Sequence, residues 1–370
     1  MCDNPSVGGG RTGFRTVPVA EAVGMVLAHD ITEIRPGEGS SEGGGAPFKG
    51  RAFRKGHVVR REDICRLQRL GKENLFILEI AADEMHEDDA ARAMAEALAG
   101  EGVEPAGEPR EGKINILASR DGLLKVNKEA LCAFNMLGDV MCATLHTNTL
   151  VRTGQVVAGT RAIPLVVKTK TVVEAVSVAR EAGHIIQVRE LSRPRAGVVI
   201  TGNEVFYGRI KDAFAAVIAD KIEKFGGEVV GLCHAPDDAS FIAERLRELM
   251  QAGADLLITT GGMSVDPDDV TRFAIRDLGA EDITYGSAVL PGSMVLTAHV
   301  RRDEDGEVRT VPVLGVPACA IYGKVTALDI VLPRVLAGER IGRKELAELG
   351  HGGLCLQCEE CRYPVCPFGK

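Results

Sequence analysis

The sequence predicts an α/β protein. Its C-terminal half reads as a parallel sheet flanked by helices, with additional smaller α+β or β-containing domains on the N-terminal side. Three observations carry this. From residue 197 onward, short apolar runs alternate with amphipathic helical patterns across short links, which is how a parallel sheet with right-handed crossovers is written. The stretches before it are rich in Val, Thr and Ile between glycine turns, as strands are. A chain of 370 residues, 45% hydrophobic and 26% charged, can bury a substantial core over two or three domains.

Taken in order, residues 1–13 are glycine-rich and expected to be disordered. Residues 14–82 form a first unit, in which VPVAEAVGMVLAHDITEI reads as a strand, a short helix and another strand. The loop RPGEGSSEGGGAPFKG is either a mobile lid or a surface insertion, and its glycine richness favours the insertion. FRKGHVVRREDICRLQRLGKENLFILEI reads as a strand, a helix with Ile64, Leu67 and Leu70 on one face, a stop at Gly71 and a buried strand. Arg60, Arg61, Arg66 and Arg69 are read as a solvated face, not as an anion site.

Residues 83–195 make an α/β insert whose role the sequence does not assign. It holds an acidic, Ala-rich helix ending near Gly100, a punctuated linker EGVEPAGEPREG, β-containing stretches over INILASRDGLLKVN and 140–168, a helix around Val172 to Ala182, and the linker ELSRPR.

Residues 196–340 carry the alternating pattern. AGVVIT is a strand; a helix with Phe214, Val217, Ile218 and Ile222 on one face follows and stops at Gly226 and Gly227. EVVGLCH is a second strand. A helix from about Ala239 to Gln251 buries Ile242, Leu246 and Leu249, ends at Gly253, and leads into the strand ADLLIT.

Open parallel sheets bind ligands at the carboxyl ends of their strands, and two polar loops lie there: TGNEVFYGRIKD and TTGGMSVDPDDV. Gly261 and Gly262 let the backbone approach an anion, and their amides with the hydroxyls of Thr259, Thr260 and Ser264 can cradle a phosphate. Acids beside a phosphate call for a cation between them. Hard Mg²⁺ takes one or two carboxylates with phosphate oxygens and waters, which fits Asp269 or its neighbours Asp266 and Asp268. Taken singly, Asp266 and Asp268 read as turn and N-cap residues, with Pro267 fixing φ.

TGNE with a following glycine and Asp212, TTGGxS, and DDVTxxA together resemble the molybdopterin-binding domain shared by the molybdopterin adenylyltransferases and the molybdopterin molybdenumtransferases. AEAVGMVLAHDI is similar to the N-terminus of the second group. The resemblance is strong over 197–340, moderate over 16–80 and absent over 83–195. It implies a molybdopterin-binding-type sheet whose cleft takes the pyranopterin, with its phosphate or nucleotide, and Mg²⁺. Thr201, Gly202, Thr259, Thr260, Gly261, Gly262 and Ser264 match the binding loops. Glu204, Asp212 and Asp269 match the functional acids, Asp269 being the candidate Mg²⁺ ligand.

Two later motifs match in part. Where the molybdenumtransferases have PGKP the chain has PGSM, keeping Pro291 and Gly292; where they have LPGNP it has LGVPA, with Gly315 and Pro317. The missing lysine and asparagine are groups suited to holding molybdate or an anionic leaving group. Two functions stay open. One is Mg²⁺-assisted insertion of molybdenum into adenylylated molybdopterin; the other is a non-catalytic carrier, chaperone or sensor of the cofactor. A pyrophosphatase of the competence-damage type has less support, because the N-terminal resemblance points elsewhere. Beyond the pterin, the partners left open are molybdate, a second copy of the chain and a molybdoenzyme.

Residues 341–370 form a Cys-rich, metal-binding tail. Cys355, Cys358 and Cys361 follow at x2 intervals and Cys366 after x4, ahead of Pro367. The closing Cys-Pro is similar to ferredoxin-type cluster ligation, one residue off in the last gap. Zinc is the alternative, since four thiolates also satisfy Zn²⁺. His351 reads as a linker residue. The other cysteines (Cys2, Cys65, Cys132, Cys142, Cys233, Cys319) are scattered and read as reduced core residues.

The net charge of −8 without a basic block, no tryptophan and 4% aromatic residues argue against nucleic acid as a partner. No apolar run reaches the roughly 18 residues a bilayer helix needs, so no membrane partner is expected. The start MCDNPSVGGGRTG lacks a signal-peptide h-region, which points to the cytoplasm.

Overall fold

Strict apolar runs such as GVVI and LLI bury both faces of a strand, and they form the centre of the largest sheet in the computed structural model, which describes residues 14–35, 48–78, 80–263, 269–304 and 306–369. The expectations for residues 1–13 and for the glycine-rich loop at 36–47 lie outside the described residues. Six strands make this sheet: β1 (Arg195–Thr201), β2 (Glu228–Ala235), β3 (Leu256–Thr260), β4 (Glu281–Tyr285), β5 (Leu296–Glu304) and β6 (Glu307–Val316). Their order is β2-β1-β3-β6-β5-β4. The first four in that order are parallel, and β5 and β4 add an antiparallel edge. That edge is absent from the sequence reading, which stops at the parallel half.

Alternate residues on each strand point to opposite faces, and two cores result. Ala196, Val198 and Ile200 of β1 face one core with Leu256, Ile258, Leu314 and Val316; Val199, Leu257, Val313 and Ala298 face the other. The first core is closed by helix α2 (Phe214–Glu223), through Phe214, Ile218 and Ile222, and by α6 (Ala327–Leu336). The second is closed by α3 (Ala239–Gln251), through Ile242, Ala243 and Leu246, and by α4 (Thr271–Asp277). Asp238 starts α3 by accepting the Phe241 N–H at 2.8 Å. Three short helices complete this part: α1 (Asn203–Phe206), α5 (Cys319–Tyr322) and α7 (Arg343–Glu348).

The N-terminal unit pairs Phe14–Pro18 with Asn74–Leu78 and Ile31–Arg35 with Phe48–Phe53, both antiparallel, around Val17, Leu27, Phe53, Leu67 and Leu75. Its last strand alternates: Leu75 and Ile77 are buried and Phe76 is exposed.

In the insert, the helices Glu87–Leu98 and Thr169–Glu181 pack beside a four-stranded sheet. The expected linker EGVEPAGEPREG contains a strand, Val103–Pro105, on the edge of that sheet. Pro105 hides it from a sequence reader, yet an edge strand tolerates proline. The insert is fastened to the C-terminal part by Lys125, whose Nζ donates to Glu339 at 2.7 Å, while Glu339 also pairs with the buried Arg334.

The tail folds back onto the sheet domain. Leu290 and Cys355 exchange backbone contacts, with the Leu290 N–H donating to Gly353 O and the Cys355 N–H to Leu290 O, each at 2.8 Å. Phe368 is 3% exposed, and the Tyr363 hydroxyl donates to Asp329 O at 3.2 Å. Among the described residues no helix is long and apolar enough to cross a membrane.

Candidate functional site

From β1 the chain moves through α2 on one face to β2, then through α3 on the other face to β3 on the far side of β1. The strand order therefore reverses between β1 and β3, where open α/β sheets bind ligands beyond the carboxyl ends of the strands. The loops carrying TGNE and TTGG leave these two strands. LGVPA closes the next strand, β6, with Thr259 opposite Gly315 and Thr260 opposite Val316.

The floor of this end is a knot of hydroxyls. Thr201 Oγ1 donates to Thr260 O at 2.9 Å and lies 3.2 Å from Thr271 Oγ1, which donates to Gly261 O at 3.0 Å. Gly261 and Gly262 both have positive φ, +82° and +57°. A Cβ on Gly261 would meet Thr201 O at 2.4 Å, and one on Gly262 would meet Thr271 Oγ1 at 2.4 Å. The glycines are thus required by the protein's own packing as well as by any approaching anion. The Thr259 and Thr260 hydroxyls are buried and, among the described residues, have no hydrogen-bond partner.

Thr201 and Gly202 are buried at the end of β1. Glu204 is exposed, and its carboxylate folds back over Gly202, where a Cβ would come within 2.7 Å of Oε1. Asp212 is engaged differently. Its Oδ1 accepts from the Phe214 and Ala215 N–H groups at 2.7 and 3.3 Å at the start of α2, and its Oδ2 lies 3.2 Å from His234 Nε2 at the end of β2. Asp269 is half-buried just ahead of α4. Ser264, Asp266 and Asp268 lie outside the described residues. Pro291 and Gly292 pack at the start of α6, where the Ala327 N–H donates to Pro291 O at 3.0 Å. Pro317 begins the turn into α5 through its carbonyl, which accepts the Ala320 N–H at 3.1 Å.

Residues near this end that the sequence reading did not single out are His234, the reciprocal pair Asn203 and Asp237 (3.0 and 3.3 Å), and Tyr207, 63% exposed with Arg209 over its ring. An aromatic pair, Phe206–Tyr207, in a chain so poor in aromatic residues was the available signal.

The four tail cysteines line one cavity of about 520 Å³ together with Cys319, Tyr322 and Pro291. Cys319, read from sequence as a scattered core residue, is therefore a fifth thiol in the same wall. Burial pushes its pKa up, and burial with Asp329 and Cys366 nearby pushes the Tyr363 phenol up to about 12. Among the described residues no group of three or more His, Cys, Asp or Glu is drawn together closely enough to hold a metal ion.

Glycine-turn and hydroxyl loops thus lie at the switch point of a doubly wound α/β sheet. Residues 197–337 match a family model described as "Probable molybdopterin binding domain". Residues 16–79 match a second model, described as a domain of unknown function. Among curated proteins, a protein of Pyrobaculum calidifontis is 38% identical over 97 residues, and a "CinA-like protein" of Mycobacterium avium is 39% identical over 89 residues. These matches cover 26% and 23% of this chain and 37% and 20% of the relatives, so the chain spans well under half the length of either. Similar solved structures include the tungsten cofactor synthesizing protein MoaB from Pyrococcus furiosus (22% identity, TM-score 0.32, covering 38% of this chain and 92% of that one). The molybdopterin biosynthesis enzyme MoaB from Thermus thermophilus is another (22% identity, TM-score 0.31, covering 40% and 98%).

Proposed function

We propose that the chain binds molybdopterin or its adenylylated form at the β1/β3 switch point and acts in molybdenum cofactor biosynthesis. The observation that supports this most is the coincidence of three motif loops, TGNE, TTGG and LGVPA, at the ends of three neighbouring parallel strands within the matched domain.

In this reading the Gly261 and Gly262 amides take the phosphate, together with one of the Thr259 and Thr260 hydroxyls, which point to opposite faces of β3. The exposed Tyr207 ring offers a face to the flat heterocycle. Asp269, half-buried at the same strand end, is the carboxylate assigned to the metal. Mg²⁺, when bound there, neutralises phosphate charge. Asp212 has both oxygens committed to the α2 start and to His234, so its part is to position that loop, not to ligate a cation. Glu204, exposed above Gly202, is left to face the substrate.

The finer proposal is insertion of molybdenum from molybdate with loss of the nucleotide. The protein's share is positioning and electrostatics. A second reading, a carrier of the finished cofactor, is favoured by the PGSM and LGVPA sequences, which lack the lysine and asparagine of the resembled enzymes. The test is mass spectrometry of the ligand released from protein purified anaerobically from a molybdopterin-making host, wild type beside Asp269→Asn. A pterin that copurifies with wild type and is depleted in the variant, with unchanged thermal unfolding, supports the site. A chain that carries no pterin and binds none when it is added overturns it.

A further inference from the structure

The tail is held in place mainly by backbone and side-chain hydrogen bonds, while Cys355 and Cys366 also pack against the sheet domain's core and Cys355 Sγ accepts the Gln357 N–H at 3.4 Å. Besides the Leu290 and Tyr363 hydrogen bonds, Lys324 Nζ donates to Glu359 O at 2.7 Å, and the Gly369 N–H donates to Gly352 O at 3.0 Å, closing the segment into a loop. All four of its cysteines lie on the cavity this loop encloses, and all are free thiols.

Packing accounts in part for Cys355 and Cys366, which lie against the core, but not for the other two. Cys358 and Cys361 are exposed and touch no core, and exposed thiols without a partner are open to oxidation. Four thiolates would also satisfy zinc, and it is the closing Cys366-Pro367 that favours a cluster over a single ion. Three thiols at x2 spacing on one loop and a fourth ahead of Pro367 supply a full set of ligands for such a centre.

We infer that Cys355, Cys358, Cys361 and Cys366 hold an iron–sulfur cluster in this cavity, with Cys319 in the wall behind it. The existence of this site does not depend on the pterin proposal. It nevertheless adjoins the two partial motifs, because Pro291 of PGSM lines the cavity and Cys319 follows LGVPA by a single residue. Occupancy of the cavity thus braces the loops on that side of the domain.

The experiment uses the full chain, purified and reconstituted without air or chelator. Iron and acid-labile sulfide are expected at roughly four each per chain, with a broad visible absorbance that bleaches on reduction. Cys358→Ser and Cys361→Ser are expected to lose most of the iron, since both positions are exposed and the fold tolerates the change. Cys65→Ser and Cys132→Ser, exposed and away from the cavity, keep it. Stoichiometric zinc without sulfide overturns the assignment. So does wild-type protein that stays metal-free after reconstitution with its tail thiols all titratable, or iron content that both tail variants retain.

Discussion

Gly261 stands so close to Thr201 that a Cβ added to it would come within 2.4 Å of the Thr201 carbonyl oxygen. The φ of +82° at Gly261 is one that an L side chain rarely adopts. Gly261→Ala therefore meets both a strained backbone and a clash with β1, and is expected to cost about 1–3 kcal/mol of stability. Pterin affinity should fall with it, because relief comes only by moving the TTGG turn. Urea unfolding and a binding titration on the same preparation check this; an unchanged midpoint with unchanged affinity would mean that the turn is free to shift.

The hydroxyls of Thr259 and Thr260 separate ligand binding from folding. Each is buried without a partner among the described residues, so replacing it with the isosteric valine removes an unsatisfied group. Thr259→Val and Thr260→Val are expected to leave stability unchanged or raise it by about 1 kcal/mol. A hydroxyl that serves the ligand should, when lost, weaken pterin binding by roughly tenfold. A variant that loses stability and keeps its affinity would show that its hydroxyl belongs to the fold.

How far this was legible from sequence depended on pattern strength. The faces of α2 and α3 follow from Ile218, Ile222, Ile242 and Leu246 at helical spacing. The parallel core follows from apolar runs too short for helices. The antiparallel edge was not read. Between Glu281 and Val316 the strands carry the exposed Arg301, Asp303 and Arg309, and Arg302, which donates to the Met250 and Ala254 carbonyls, and these charges dilute the apolar signal. The Asp-Gly at 305–306 was an available hairpin cue. Strand ends were legible as loops, but the capture of Asp212 by α2 and His234 was not. That contact joins β2 to a loop 22 residues away, and nothing local encodes it.

His86 makes stability depend on pH. It precedes the helix Glu87–Leu98, and its Nδ1 accepts the Asp88 N–H at 3.1 Å, which requires an unprotonated nitrogen. Burial, with Lys55 nearby, lowers its pKa from 6.5 against the pull of Asp88, Glu87 and Asp89. A folded pKa below the unfolded one means that the unfolded chain binds more protons as pH falls. The contribution is therefore fully present above pH 6.5 and is lost as pH drops through the lowered pKa. His29 and His299, lowered chiefly by burial, act in the same direction. Denaturation midpoints should be flat above 6.5 and decline below it, and His86→Asn, which keeps a side-chain acceptor at the cap, should decline less steeply. An identical slope in the variant would remove His86 from the account.

Ser293 decides between enzyme and carrier. It occupies the place where the resembled molybdenumtransferases have lysine, in the turn before β5, where its carbonyl accepts the Ser287 N–H at 2.8 Å and its side chain is half-buried. Cleaving a phosphoanhydride needs charge stabilisation on the departing phosphate, and losing one preorganised group typically costs about 10²–10³-fold in rate, roughly 3–4 kcal/mol. Binding of the pterin is spread over many contacts and should suffer less. The expected outcome is tight binding by wild type, slow molybdenum insertion, and faster insertion by Ser293→Lys with little change in affinity, followed by single-turnover assay with adenylylated molybdopterin and molybdate. The backbone hydrogen bond of Ser293 does not depend on its side chain, so the substitution should leave the turn in place. Rapid insertion by the unmodified chain would make a lysine at this position dispensable, and no insertion by either form, with tight binding retained, would assign the protein to cofactor carriage.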